Sequence, residues 1–134
     1  MKLASCLLTS LSVLVATPGE ARPIIEGVYG QTWASPVVGQ CSHCEVRIRK
    51  ITPHIVELSA SNGWSGFAYY RPAEDRYHGS FEWWAGEGGD YDRVLFTIHL
   101  KFDGSTLVMD ANSDRLTFAA RYKRAQPRPE ETRL

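Results

Sequence analysis

The sequence predicts an all-β fold: one antiparallel meander of about eight strands closing into a small barrel, preceded by a signal peptide. Three observations carry that reading. Apolar and polar residues alternate at period two through most of residues 24–123, and no sustained 3.6-residue period competes with them. Turn-forming residues cut the alternation into short runs at regular intervals. Each run follows the last by a short connection, so neighbours pair antiparallel, and a meander of this many strands closes because closure removes exposed edges.

The first 21 residues stand apart. Met1 and Lys2 make a short basic start, residues 3–16 carry no charge, and Pro18 and Gly19 interrupt any helix. Gly19 and Ala21 then place small residues before a cut after Ala21. The apolar run is shorter than the ~20 residues that span a bilayer. The expectation is a cleaved leader (1–21), a periplasmic or secreted protein, and no stable membrane insertion. Residues 22–124 form the barrel domain, and the polar, proline-containing 125–134 form a disordered tail.

Strands are expected near 25–33, 44–52, 54–61, 64–72, 75–85, 91–102, 105–111 and 115–124. The clearest run puts Val94, Phe96, Ile98, Leu100 and Phe102 on one face and Thr97, His99 and Lys101 on the other. Leu116, Phe118, Ala120 and Tyr122 repeat it, and Tyr77, Phe81 and Trp83 face away from His78, Ser80 and Glu82. Alternation places Val46, Ile48, Val56, Leu58, Leu107 and Met109 inside. In the fourth run it sends Phe67 and Tyr69 inward and Tyr70 outward. Asn62-Gly63 and Asp103-Gly104 predict tight hairpins with positive φ at both central residues. Turns are also expected at Thr52-Pro53-His54, 72–75 and 112–114, with a loose glycine-rich loop at 86–90. So many bulky inward groups predict a filled barrel, or one with a narrow cavity at one mouth.

Charge narrows the partners. Fifteen Lys and Arg balance 15 Asp and Glu, and without the leader the balance is 14 to 14. Nucleic acid is excluded as a partner because phosphate binding needs a basic excess.

Cys41-Ser42-His43-Cys44 is the densest chemical cluster. An oxidising compartment favours a structural disulfide. Residues three apart on a strand lie ~10 Å apart, so a bridge needs a turn at Ser42-His43. A redox reading wants a helix start after the first cysteine, and a zinc reading wants four ligands; neither pattern accompanies the pair. Glu45 stands where haem attachment would need histidine. No metal and no cofactor is expected.

The run Glu26-Gly27-Val28-Tyr29-Gly30 opening an exported, short-stranded chain resembles the start of the lipocalin-like, or calycin, barrels, whose Gly-x-Trp becomes Gly27-Val28-Tyr29. The resemblance implies an eight-stranded barrel and a small apolar ligand. Ser59-Ala60-Ser61-Asn62-Gly63 and the aromatic run from Phe81 to Trp84 also resemble the small-barrel periplasmic lysozyme inhibitors.

Nothing resembles Gly-x-Ser-x-Gly or a phosphate loop, so the expectation is a non-enzymatic binding protein. His78 and His99 fall on the polar face and are expected as solvated surface residues. Glu82, Glu87, Asp90 and Asp92 near the tryptophans read as a charged loop. The aromatics are the better clue: Tyr70, Trp83 and Trp84 are the candidate binding residues, with Tyr70 and Trp84 forming an outward patch. The alternative to a carrier is a protein- or saccharide-interaction module, such as an inhibitor of an extracytoplasmic enzyme, working through surface aromatics and loops.

Overall fold

The computed structural model describes residues 26–84, 86–103 and 105–125. The alternating runs form β1 (Gly27–Ala34), β2 (Glu45–Lys50), β3 (Ile55–Ala60), β4 (Trp64–Arg71), β5 (Arg76–Trp83), β6 (Phe96–Asp103), β7 (Thr106–Asn112) and β8 (Thr117–Arg124). Each strand pairs antiparallel with the next, and β8 returns to β1, so the sheet is a closed barrel. Apart from the start of β6, the expected ends hold to within a residue or two. The expected leader (1–21), and all of the expected tail beyond Ala125, lie outside the described residues.

Alternation gives the barrel an apolar inside and a polar outside, the inverse of a membrane barrel. Among the described residues no helix is long and apolar enough to cross a membrane. The interior is filled largely by rings. Phe81 and Phe96 stack with centroids 4.9 Å apart, Trp64 lies 4.6 Å from Phe81, and Phe118 lies 5.6 Å from Phe96. Ile48, Leu58, Ile98, Leu100, Leu107 and Met109 bury the remaining wall.

Two expectations about faces and turns are corrected. In β4 it is Trp64, Gly66, Ala68 and Tyr70 that face inward; Phe67 and Tyr69 face out, 57 % and 44 % exposed. The run carries aromatics on both faces, so hydrophobicity alone does not choose between them. Pairing with β5 chooses, because Gly66 lies opposite Phe81 and Ala68 opposite Gly79. A Cβ on Gly66 would stand 2.8 Å from the Phe81 Cα, and one on Gly79 would stand 2.6 Å from the Ala68 Cα. The small residues must point in, where Phe81 already occupies the volume. At Asn62-Gly63 the connection has three residues: the Gly63 N–H donates to the Ala60 carbonyl (3.1 Å), and Gly63, with φ 94°, takes the left-handed position. Asn62 does not have positive φ.

The sixth strand starts at Phe96, not at 91. Asp92 is the cause: its carboxylate accepts the N–H groups of Gly86 and Gly88, both at 2.6 Å. That ties down the 86–90 stretch expected to be loose, and Gly89–Tyr91 coils into a 3₁₀ turn. Tyr91 thereby packs beside Trp83 and Phe96, with centroids 6.4 Å and 6.2 Å away.

The barrel has two unlike ends. Connections 35–44, 61–63, 84–95 and 113–116 gather at the long-loop end. The opposite, short-turn end has 51–54, 72–75, 104–105, Glu26 and Ala125. There Arg124 lies over the Tyr29 ring (5.2 Å), and its guanidinium donates to the Tyr29 hydroxyl and the Glu26 carbonyl, each at 3.0 Å. Gly27 is needed beneath it, because its φ is 145° and a Cβ there would stand 3.0 Å from the Arg124 Nη1.

Gly79→Val tests how tightly β4 and β5 approach. Overpacking of this kind is expected to lower stability by roughly 1–3 kcal/mol, read from chemical denaturation. An unchanged midpoint would contradict the close approach.

Candidate functional site

A cavity of about 70 Å³ opens at the mouth of the long-loop end. Trp64, Trp83, Phe118 and Met109 give it apolar walls, while Gln31 and Tyr122 bring polar groups from the two strands that close the barrel. Those two residues are direct cross-strand partners on the inner face. Tyr122 is 4 % exposed, and burial raises its pKa, so the phenol stays protonated and able to donate. Its hydroxyl has no hydrogen-bond partner among the described residues. Every fully sealed side-chain nitrogen or oxygen does have a partner, so this hydroxyl faces space that water can reach.

The rim is built by the 35–44 connection. The Gln40 side chain acts as a strand edge for Ala34, donating to its carbonyl (2.6 Å) and accepting its N–H (3.2 Å). The Gln31 N–H donates to the Cys44 carbonyl at 2.8 Å. Cys41 and Cys44 are joined, as expected, by a disulfide across a turn that brings their Cα atoms to 5.5 Å. Cys41, Gly39 and Val38 line the cavity, so the bridge fixes the rim.

The three residues singled out from sequence do not form one patch. Trp83 is half-buried and lines the mouth. Trp84 is 58 % exposed on the outer wall, its indole N–H donating to the Ser65 hydroxyl at 2.8 Å. Tyr70 is not outward. It sits inside at the opposite end, tilted against Tyr77 (5.1 Å), with its hydroxyl donating to Asp75 at 2.5 Å. What joins Trp84 on the outer wall is the pair expected inside, Phe67 and Tyr69, with Ile55 beside Tyr69 in the β3–β4 register. Residues two apart on a strand are about 7 Å apart, so Trp84, Phe67 and Tyr69 run as a column along β4. Sequence reading missed Tyr122 and Gln31 as candidates. The available signal was a tyrosine at an inward position of a cleanly alternating run, which puts a hydroxyl where no water is guaranteed.

His78 and His99 do lie on the polar face, but neither is freely solvated. Tyr69, His78, His99 and Asp110 are cross-strand neighbours in one row. The two imidazoles stand 4.2 Å apart, and His78 Nε2 pairs with Glu74, which also accepts from Arg76 at 2.9 Å. Arg76 and then His78 hold the Glu74 carboxyl at about 2. Burial, then the charges of His78 and Arg76, push His99 below its ordinary value. A polar groove of about 250 Å³ beside the row includes Arg76, His99, Lys101 and Asp110 and no hydroxyl or thiol in its lining. Among the described residues no three His, Cys, Asp or Glu side chains are arranged to hold a metal ion.

No protein-family model matches the chain, and no curated protein is significantly similar to it. Among solved structures the chain is similar to a redesigned β-barrel, mFAP1, bound to DFHBI. The TM-score is 0.56 at 14 % identity, covering 74 % of this chain and 94 % of that one. The likeness is one of fold. It agrees with the eight-stranded barrel that the calycin resemblance implied.

Two outcomes follow from this geometry. Folding lowers the His99 pKa from its ordinary 6.5, chiefly by burial, so its contribution is complete above 6.5 and is lost as pH falls below it. Glu74 contributes above its unfolded 4.5 and loses that as pH falls through about 2. Thermal melts should therefore fall on acidification from pH 7, and His99→Gln should flatten the limb that begins near pH 6.5 while leaving the one below 4.5. Replacing Cys41 and Cys44 by serine opens only a four-residue loop, so denaturation should show a loss of no more than about 2 kcal/mol.

Proposed function

We propose that the protein is an exported, non-enzymatic barrel that binds a small neutral molecule in the mouth of its long-loop end. The observation that carries this is the Tyr122 hydroxyl, buried, protonated and unpaired at the edge of a cavity with aromatic walls. Water reaches that hydroxyl in the empty mouth, and a ligand offering an acceptor takes the water's place. Gln31, opposite, adds a donor and an acceptor.

Volume sets the size of the ligand. About 70 Å³ is the share of roughly two water molecules, whereas drug-sized ligands occupy ~300–1,000 Å³. The lipocalin-like expectation of an apolar ligand therefore narrows to a molecule of a few heavy atoms with one hydrogen-bonding end. No residue lining the cavity is ionised, so an ion there would be desolvated without a partner. That mFAP1 was solved with DFHBI bound supports small-ligand binding by a barrel of this plan. The leader-like start and the Cys41–Cys44 bridge support an oxidising compartment.

Tyr122→Phe tests the reading, because it removes the hydroxyl and keeps the ring. The variant should keep the wild-type melt to within about 0.5 kcal/mol, because the hydroxyl it loses is one that water reaches. In wild type, NMR titration with N-methylformamide should give saturable shifts at Tyr122, Trp83 and Phe118, and the variant should bind at least tenfold more weakly. Absent or non-saturating shifts, or equal affinity in the variant, would sink it.

The outer column favours a second reading, docking of an extracytoplasmic protein. Phe67, Tyr69 and Trp84 are the residue types that anchor protein interfaces. The polar groups around them are already engaged: Arg49 with Glu57, Ser65 with Trp84, and Arg71 with Tyr69 and Glu74. Burial of rings is what this face has left to offer. A photo-crosslinker at position 67 should join one protein, whose purified form loses affinity at least tenfold for Trp84→Ala. Retention on glycans without a protein adduct would overturn this reading.

A further inference from the structure

Beside the mouth, an open cleft of about 680 Å³ separates the 84–95 connection from the 113–116 turn, and Arg93, Val94, Leu95, Thr97, Asp114 and Arg115 are among its lining. Arg93 has φ 60°. A long side chain reaches that left-handed conformation against a steric penalty that glycine does not meet. A type II turn holds it there: Asp92 has φ −53° and ψ 130°, and the Val94 N–H donates to the Tyr91 carbonyl at 3.1 Å.

The charges around it make the outlier informative. The Arg93 guanidinium has no hydrogen bond or ion pair among the described residues. The Arg115 guanidinium donates once, to the Asp90 carbonyl at 3.2 Å, and pairs with no carboxylate among the described residues. The nearest acid in the chain, Asp92, is occupied with the Gly86 and Gly88 N–H groups. Asp114 is the cleft's acid, against two arginines. Next to them Leu95 is 63 % exposed, with Val94 behind it. Two forked donors with spare N–H groups suit one carboxylate, which accepts bidentate bonds from guanidinium. The apolar side chains suit a hydrocarbon group attached to it.

We propose that this cleft binds an organic monocarboxylate with a short apolar body, the carboxylate held by Arg93 and Arg115 and the body laid over Val94 and Leu95. The left-handed backbone at Arg93 is what aims its side chain into the cleft. This site is separate from the Tyr122 cavity, whose lining holds no ion.

Calorimetry of the full-length protein with sodium hexanoate is the test, with hexanol and inorganic phosphate as the apolar-only and anion-only arms. Hexanoate should bind saturably, and hexanol and phosphate at least tenfold more weakly. Arg93→Gly should raise the melting temperature, because it frees the backbone, and weaken hexanoate at least tenfold. Arg115→Gln should weaken it similarly with an unchanged melt. Tyr122→Phe should leave hexanoate affinity unaltered, so the two sites fail independently. Wild-type affinity in both arginine variants, a phosphate affinity equal to that for hexanoate, or no saturable binding at all would overturn the proposal; phosphate parity would mark a site for small anions in general.

Discussion

Closure of β8 onto β1 is the constraint on which everything else in this molecule rests. An open eight-stranded sheet would leave two edges of unpaired N–H and C=O groups, and its inner rings would face water. The seam is secured at the short-turn end by Arg124 lying across Tyr29. Tyr29 is fully buried there, and burial raises its pKa although the Arg124 charge opposes this, so the phenol remains a neutral acceptor for the guanidinium. Gly27 allows the approach. Three residues from opposite ends of the domain thus shut one mouth and set the register that brings Gln31 against Tyr122 further along the same seam.

The strands were legible because one face of each is buried, and a buried face writes period-two alternation into the chain. The barrel followed from short connections. Legibility failed where both faces carry similar side chains. In Phe67-Ala68-Tyr69-Tyr70 the parity is decided by the close approach of Gly66 and Gly79 to the neighbouring strand, and that is information held by β5, not by β4. It failed again at Asp92, whose carboxylate shortens β6 by capping amides four and six residues earlier. A lone aspartate does not announce such a bond. The site fared similarly: Trp83 and the Cys41–Cys44 bridge could be read locally, whereas the pairing of Gln31 with Tyr122 joins residues 91 apart and needs the closed barrel.

Interior volume decides the kind of ligand. Phe81, Phe96, Phe118, Trp64 and Trp83 pack at ring distances of 4.6–5.6 Å, and Tyr91 folds in from the 84–95 connection. The small inward residues Gly66, Ala68 and Gly79 do not open a cavity, because the strands draw together where they lie. What remains is the corner left between the rim held by Gln40 and the seam at Tyr122. A barrel filled in this way has its open space at the mouth, while large apolar side chains such as Trp84, Leu95 and Phe67 stand exposed outside it.

The two ends differ in what their side chains leave unengaged. At the short-turn end each special feature has a local structural reason: Asp75 is left-handed, a conformation aspartate tolerates, and its carboxylate accepts the Tyr70 hydroxyl. At the long-loop end the backbone of Arg93 has one too, as the third residue of a type II turn that the Val94 N–H closes on the Tyr91 carbonyl at 3.1 Å. The Tyr122 hydroxyl is buried without a partner, and Arg93 is left-handed with an idle guanidinium. Water reaches the hydroxyl, and glycine in place of Arg93 would ease the turn, since that turn position favours glycine. What neither the turn nor the seam uses is the Arg93 guanidinium and the Tyr122 hydroxyl, and on the reading proposed above these are the groups that a ligand would meet.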